Sequence, residues 1–126
     1  MKSLDACIAG YLTQVEKRKN VDYADKASVR KYNAAYDKCF HFAKYIDNHY
    51  PEHLDMLVDL LEHPDIDVVG HCAPMILRLQ HATTEQKAKA IEAIYKLLDR
   101  PEVDDVTKLG FTMSLEKWEK EFKEKN

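Results

Sequence analysis

The sequence contains little glycine and little proline. Three glycines and four prolines occur among 126 residues, about half of the roughly 12% found in average proteins. Sandwiches and barrels need these residues at most of their tight corners, so the composition argues against an all-β fold. No G-x-S-x-G, G-x-G-x-x-G or P-loop pattern occurs, which argues against the nucleotide-binding and hydrolase classes that use them.

A basic excess and a long apolar run are also missing. The 19 basic and 22 acidic residues give a formal charge of −3, which argues against a nucleic-acid partner bound by phosphate neutralisation. No run approaches the ~20 apolar residues of a membrane span, so no membrane partner is expected. Asp5 falls where a signal peptide would begin its apolar run. The three cysteines are odd in number and form no CxxC pattern, which suits a reducing compartment. We therefore predict a cytoplasmic protein.

Apolar residues recur at steps of three and four along most of the chain, which predicts α-helices and provides no template for strands. The first helix is expected to end at the basic run 17–19. The second, with Asp22 as its N-cap after a break at 20–22, is expected to end near His49 because Pro51 cannot continue it. The predicted inward stripes of these two helices are Leu4, Ile8, Tyr11, Leu12 and Val15, and Tyr32, Tyr36, Cys39, Ala43 and Ile46.

Shorter helices are predicted from Glu52 onward. Pro64 ends the first and Asp65 caps the second, which is expected to bend at Pro74. Thr83 and Gln86, three residues apart, predict a capping box for the third. The predicted inward residues of the four helices are, in order, Leu54, Leu57, Leu60 and Leu61; Val68, Val69, Cys72, Ile76 and Leu79; Ile91, Ile94, Tyr95 and Leu98; and Phe111, Leu115, Trp118 and Phe122.

One ten-residue pattern occurs twice. Residues 60–69 (LLEHPDIDVV) align with residues 97–106 (LLDRPEVDDV) at an offset of 37 residues. A helix, a proline turn and a second helix capped by the following acid, repeated at this length, are typical of HEAT-type α-solenoids. We therefore predict a single all-α domain over residues 1–126, with an N-terminal helical hairpin at 1–50 and about two HEAT-like repeats at 52–126.

With this repeat identified, the chain resembles HEAT-like helical repeat proteins and, among them, the small bacterial family called domain of unknown function twenty-nineteen. The resemblance rests on the pattern around Ala34 and Tyr36, on Leu-x-His-Pro-Asp-x-Asp-Val at 61–68, and on the tail 110–118. It implies a helical scaffold without a known active site. Because some small HEAT-like bacterial proteins are immunity proteins for secreted toxins, the resemblance also implies that role, by analogy.

Two surfaces are candidate binding sites. Equivalent turns lie side by side in a solenoid, so the acidic residues of the two proline turns are expected to form one edge that attracts a basic partner. The alternative is that these residues only cap helices and offset their dipoles. The second candidate is the outer stripe of the helix after Asp65, on the predicted concave side, although Pro74 there is equally compatible with a tolerated kink that faces solvent. The acidic set is Glu62, Asp65, Asp67, Asp99, Glu102, Asp104 and Asp105, and the stripe is His71, Pro74 and Arg78.

No set of residues predicts catalysis. The histidines and cysteines fall on different helix faces, which favours surface histidines and core cysteines at Cys7, Cys39 and Cys72, with no metal and no cofactor. We predict a non-catalytic protein-binding module, most specifically a cytosolic immunity protein that neutralises a basic toxin. The first alternative is an adaptor or regulatory scaffold for an endogenous protein. A third is a small metal-dependent hydrolase using His49, His53 and His63.

Overall fold

The computed structural model describes residues 3–19 and 21–125, and for Ser114 and residues 122–125 it describes the backbone alone. Within these residues the chain is all-α and contains no strand, as predicted. No helix in this part of the chain has both the length and the apolar character needed to cross a bilayer. In the described part of the chain the six α-helices are α1 (Leu4–Lys17), α2 (Lys26–His49), α3 (Asp55–Val58), α4 (Ile66–Leu77), α5 (Thr84–Leu98) and α6 (Asp105–Lys125).

Consecutive helices pack in pairs. α1 lies along α2, α3 lies against α4, and α5 lies against α6. The contact of α4 with α5 is more extensive than the contacts within the last two pairs, and smaller contacts of α3 with α5 and of α1 with α4 complete one hydrophobic core. The three cysteines are buried in that core, as predicted. Burial raises the pKa of Cys39 to about 11 and that of Cys72 to about 12, so both thiols remain protonated at neutral pH.

A buried carboxylate joins the N-terminal helix pair to the rest of the chain. Asp47, near the end of α2, is almost fully buried. Its two oxygens accept hydrogen bonds from the backbone N–H groups of Gln80 and His81, each at 2.9 Å, in the loop between α4 and α5. Because a buried carboxylate without partners is costly, these bonds hold the loop against α2.

The helix ends of the N-terminal pair agree with the sequence except at one cap. α1 ends at Lys17 and α2 ends at His49, as predicted. Asp25, and not Asp22, caps α2 by accepting a hydrogen bond from Ala27 N–H at 3.0 Å. Asp22 instead closes a preceding turn, in which Asp25 N–H donates to its carbonyl, so the chain becomes helical three residues later than predicted. Asn20, part of the predicted break, lies outside the described residues.

The caps of the later helices follow the predicted pattern at two ends and depart from it at a third. Asp65 caps α4 by accepting from Asp67 N–H at 2.9 Å, and the Thr83–Gln86 capping box is present. Pro74 lies inside α4. The expectation that Glu102 caps the next helix is wrong, because Asp104 accepts from Thr107 N–H at 2.7 Å and α6 begins at Asp105.

The segment between Pro51 and Glu62 is not the single amphipathic helix that its leucines predict. Only Asp55–Val58 is α-helical, and 3-10 turns at Pro51–His53 and Asp59–Glu62 flank it. Four exposed acids recur at steps of three and four along the segment, so like charges oppose a regular helix. They are Glu52, Asp55, Asp59 and Glu62.

The buried face of α5 is rotated from the predicted stripe. Tyr95 was expected to point inward, but it is 46% exposed and donates a hydrogen bond to Glu119 of α6. Small residues occupy the buried face instead, since Ala90 and Ala93 pack there with Ile94 and Leu97. On α6, Leu115 is buried and Phe111 and Trp118 are partly buried, while the side chain of Phe122 lies outside the described part of the chain.

Candidate functional site

A groove of about 400 Å³ lies between the second helices of the three pairs. Its lining residues come from α2, from α4 and its C-cap, from the end of α5, and from the turn 102–104 and the start of α6, together with the C-cap residue of α1. The volume is within the range of small-ligand clefts. The residues that determine its chemistry are Arg18, Tyr32, Tyr36, His71, Arg78 and Asp104.

The most deeply placed charge in the groove is Arg18. It follows the last residue of α1 and is only 8% exposed. Its guanidinium carbon lies 4.2 Å from the centre of the Tyr32 ring and 4.8 Å from that of Tyr36, which are cation–π distances. Its Nη1 donates to the imidazole of His71, nearest to Nδ1 and 2.6 Å from Nε2. Its Nε is buried and has no hydrogen-bond partner. The cation is therefore stabilised by aromatic faces and a neutral ring.

The sequence predicts that His71 lies on the outer stripe of α4, but the structure shows its side chain partly buried. Burial and the nearby Arg18 guanidinium together lower the pKa of His71 to about 4, although Asp65 acts in the opposite direction. At neutral pH the imidazole is therefore uncharged and accepts the hydrogen bond from Arg18. This contact spans 53 residues of sequence, so helical spacing alone gave no indication of it.

Arg78 lies at the outer end of the same wall. Its Nη1 donates to the Tyr36 hydroxyl at 3.3 Å, so Tyr36 contacts Arg18 through its ring and Arg78 through its oxygen. The stripe that the sequence singles out, His71, Pro74 and Arg78, does line one cavity. Sequence reasoning missed Arg18 and the two tyrosines of that cavity, which it assigned to a helix end and to the core.

The acidic residues of the two turns are divided between several places. Asp67, Glu102 and Asp104 line the groove. Glu62 lines a second cavity of about 500 Å³ that also contains residues of α5. Asp99 is the C-cap of α5 and Asp105 is the first residue of α6, and both are exposed.

Several of these carboxylates already have partners. Asp65 accepts a hydrogen bond from Lys19 Nζ at 2.5 Å, and Asp67 lies 3.9 Å from the same ammonium. Glu102 lies 2.7 Å from Arg100 Nε. The Lys19 hydrogen bond lowers the pKa of Asp65, and the hydrogen bonds from Thr107 lower that of Asp104. The two turns therefore share a groove in part, with much of their charge offset locally.

The histidines of the hydrolase alternative do not meet. Within residues 3–19 and 21–125, no group of three or more histidine, cysteine or carboxylate side chains is arranged to hold a metal ion. His63 Nδ1 accepts a hydrogen bond from Asp65 N–H at 3.0 Å. The His49 ring packs on Tyr45 at a centroid distance of 4.2 Å, and His53 lies 3.8 Å from Glu52.

An exposed apolar stripe on α6 is a second feature that sequence reasoning missed. Val106, Leu109 and Met113 are 82%, 61% and 67% exposed. Their spacing of three and four places them on one helix face. Gly110 lies between them, and no other atom lies within 4 Å of the position that a Cβ on this glycine would occupy. The signal was present as a second apolar periodicity, on the face opposite Leu115.

No family model matches the chain, and no curated protein or solved structure matches it either. A functional proposal for this protein therefore depends on the groove and on the exposed stripe of α6.

Proposed function

We propose that this protein is a non-catalytic protein-binding module built as a short HEAT-like α-solenoid. Three features support the architecture. The helices pack in consecutive pairs, the first helices α3 and α5 contact each other, and the second helices α2, α4 and α6 contribute to one groove. Solenoids of stacked helix pairs present extended concave surfaces of this kind to their partners.

The exposed stripe on α6 is the single observation on which the binding role depends. Val106, Leu109 and Met113 place three large apolar side chains in water on one face of α6, opposite the face that carries Phe111 and Leu115. Contiguous exposed apolar surface is typical of protein–protein contact sites. A partner covering the stripe would remove this surface from water, which stabilises a complex at about 25 cal/mol per Å² before the costs of association.

The non-catalytic part of the proposal rests on the state of the reactive side chains. Cys39 and Cys72 are held as neutral thiols by burial. His71 bonds to the Arg18 guanidinium, so the imidazole that lines the groove orients a cation instead of activating a nucleophile.

In its most specific form, the proposal is a cytosolic immunity protein that neutralises a basic toxin. Its support is the exposure of Glu62, Asp99 and Asp105, together with the acidic face of the segment 51–62. These carboxylates would attract a basic surface and raise the association rate at low salt. An adaptor for an endogenous protein uses the same fold and stripe but needs no basic partner.

The stripe is tested by capture of a partner from lysate of the source cells, using the full chain and two single substitutions. Met113→Glu introduces a charge into the stripe, whereas Thr112→Glu introduces the same charge at the neighbouring exposed residue. We expect Met113→Glu to abolish a stoichiometric partner that wild type and Thr112→Glu both retain, with unfolding midpoints unchanged in both variants. Equal retention by both variants, or capture of no stoichiometric partner, would contradict the proposal.

The identity of the captured partner separates the two forms of the proposal. A basic toxin domain, released by salt, would support the immunity role. An endogenous protein without a basic surface would support the adaptor role instead.

A further inference from the structure

The carboxylates and the arginines that line the groove differ in the partners that offset their charges. Each of its carboxylates has a partner of its own: Asp67 faces Lys19, Glu102 pairs with Arg100, and Asp104 caps α6. The two arginines have neutral partners. Among the described residues, neither Arg18 nor Arg78 forms an ion pair with a carboxylate.

A buried guanidinium without a counter-ion is unusual, because removing its hydration is costly unless an anion replaces the water. Arg18 is more than nine-tenths buried, and its Nε has no hydrogen-bond partner. The Tyr32 and Tyr36 rings and neutral His71 stabilise the cation only in part. Arg78 adds a second positive charge across Tyr36.

We propose that this groove is a binding site for an oxyanion, a carboxylate or phosphate group borne by an apolar body. The guanidinium groups of Arg18 and Arg78 bind the anion, because arginine matches the planar oxygens of both groups in geometry and charge. Neutral His71 holds Nη1 of Arg18 in place without competing for the anion.

The rest of the groove fits the apolar body. Met75, Leu97 and Phe111 line it beside the arginines, and the cavity of about 400 Å³ accommodates a ring with a short substituent. Gly70 also lines this part, where a Cβ would make ordinary van der Waals contact with the Phe111 ring at 3.6 Å. The site does not depend on the protein-binding proposal, because a small anion suffices to occupy it.

The test is a titration of the full ¹⁵N-labelled chain, followed by NMR, with three probes of similar body. Phenyl phosphate and benzoate supply the two oxyanions, and phenol supplies the same ring without the anion. We expect saturable shifts at Gly70 and His71 with at least one anion, and binding of phenol at least about tenfold weaker. The tighter of the two anions identifies the natural group. Absence of saturable binding by both anions, or equal binding of phenol, would overturn the proposal.

Two matched arginine substitutions sharpen the result. Arg78, the C-cap residue of α4, and Arg30 of α2 are both exposed, but only Arg78 lines the groove. We expect Arg78→Gln to weaken anion binding about tenfold or more and Arg30→Gln to leave it unchanged. An equal effect of both substitutions would show that the anion responds only to net charge, and the proposal would fail. Because Arg78 is exposed, its replacement leaves the core intact.

Discussion

The two proline turns, around Pro64 and Pro101, come from nearly the same sequence and form different structures. In the first, Asp65 accepts a backbone hydrogen bond and α4 starts at the next residue. In the second, the aligned residue is Glu102, which pairs with Arg100 and leaves the cap to Asp104. Aspartate has the short side chain that an N-cap needs, whereas glutamate is not among the favoured cap residues. The replacement of aspartate by glutamate at this position accompanies a helix start that lies two residues later.

The delay changes which valine is buried. Val69 of the first turn is 7% exposed, whereas Val106, which aligns with it, is 82% exposed. A helix that starts two residues later presents its residues at different angles to the core, since each residue turns the helix by about 100°. The apolar stripe of α6 is thus a consequence of a capping difference as well as of composition.

The first turn is also tied to the N-terminal helix pair. Lys19 reaches Asp65, and Arg18 reaches His71 just beyond it. The aligned residues of the second turn, Glu102 and Lys108, have no such contact with α1 among the described residues. The sequence repeat therefore determines where the two turns lie. Contacts with neighbouring helices determine which residues of each turn are paired with another part of the chain.

Among single substitutions at neutral pH, the largest effect is expected from truncating the buried member of the two aligned valines. Val69→Ala should lower the free energy of unfolding by about 2 kcal/mol, because it removes buried methyl groups and leaves a cavity. Val106→Ala should change it by less than about 0.5 kcal/mol. Urea unfolding followed by circular dichroism measures both, and equal losses would show that the turns do not differ in burial.

The next effect concerns pH and the contact between Arg18 and His71. The pKa of His71 is about 4 in the folded protein and 6.5 ordinarily, so between these values the unfolded state binds the additional proton. Stability is therefore complete above about pH 6.5 and decreases as the pH falls toward 4, by roughly 2–3 kcal/mol in total.

The control for this prediction is His71→Asn, which removes the titrating ring. The variant should lose less stability than wild type between pH 6.5 and pH 4.5, in urea titrations at matched ionic strength. Asp65 and Asp104, whose pKa values are lowered, lose their contribution only at lower pH. Parallel pH profiles for wild type and variant would contradict a neutral, buried His71.

The smallest effects are expected at the caps, and their order is the prediction. Asp65→Ala removes a cap and the Lys19 contact, and should cost about 1 kcal/mol or slightly more. Asp104→Ala removes only a cap and should lower the unfolding midpoint less. Glu102→Ala should have the smallest effect, since Glu102 caps nothing. A larger effect of Glu102→Ala than of Asp104→Ala would show that Glu102 is the N-cap of α6, as the repeat alignment predicts, and would contradict a cap at Asp104.

Local features of this chain were predictable where one residue decides the outcome. The end of α2 before Pro51, the cap at Asp65 and the capping box at Thr83 all follow from contacts within four residues. The errors at Asp22 and Glu102 are also local, because several acids close together compete for one cap. Tyr95 was misplaced because Ala90 and Ala93 have too little hydrophobic surface to stand out in the pattern.

Helix content, most helix ends and the pairing of helices across short turns were determined by the order of residues along the chain, because helical hydrogen bonds and caps join residues three and four apart. The candidate site was decided only by tertiary packing. Arg18 belongs to a basic run that predicts nothing more than a helix end, and its burial against Tyr32, Tyr36 and His71 requires three helices to meet. Contacts between residues 53 positions apart leave no periodic trace in the sequence, so the charge at the floor of the groove becomes apparent only when the chain is folded.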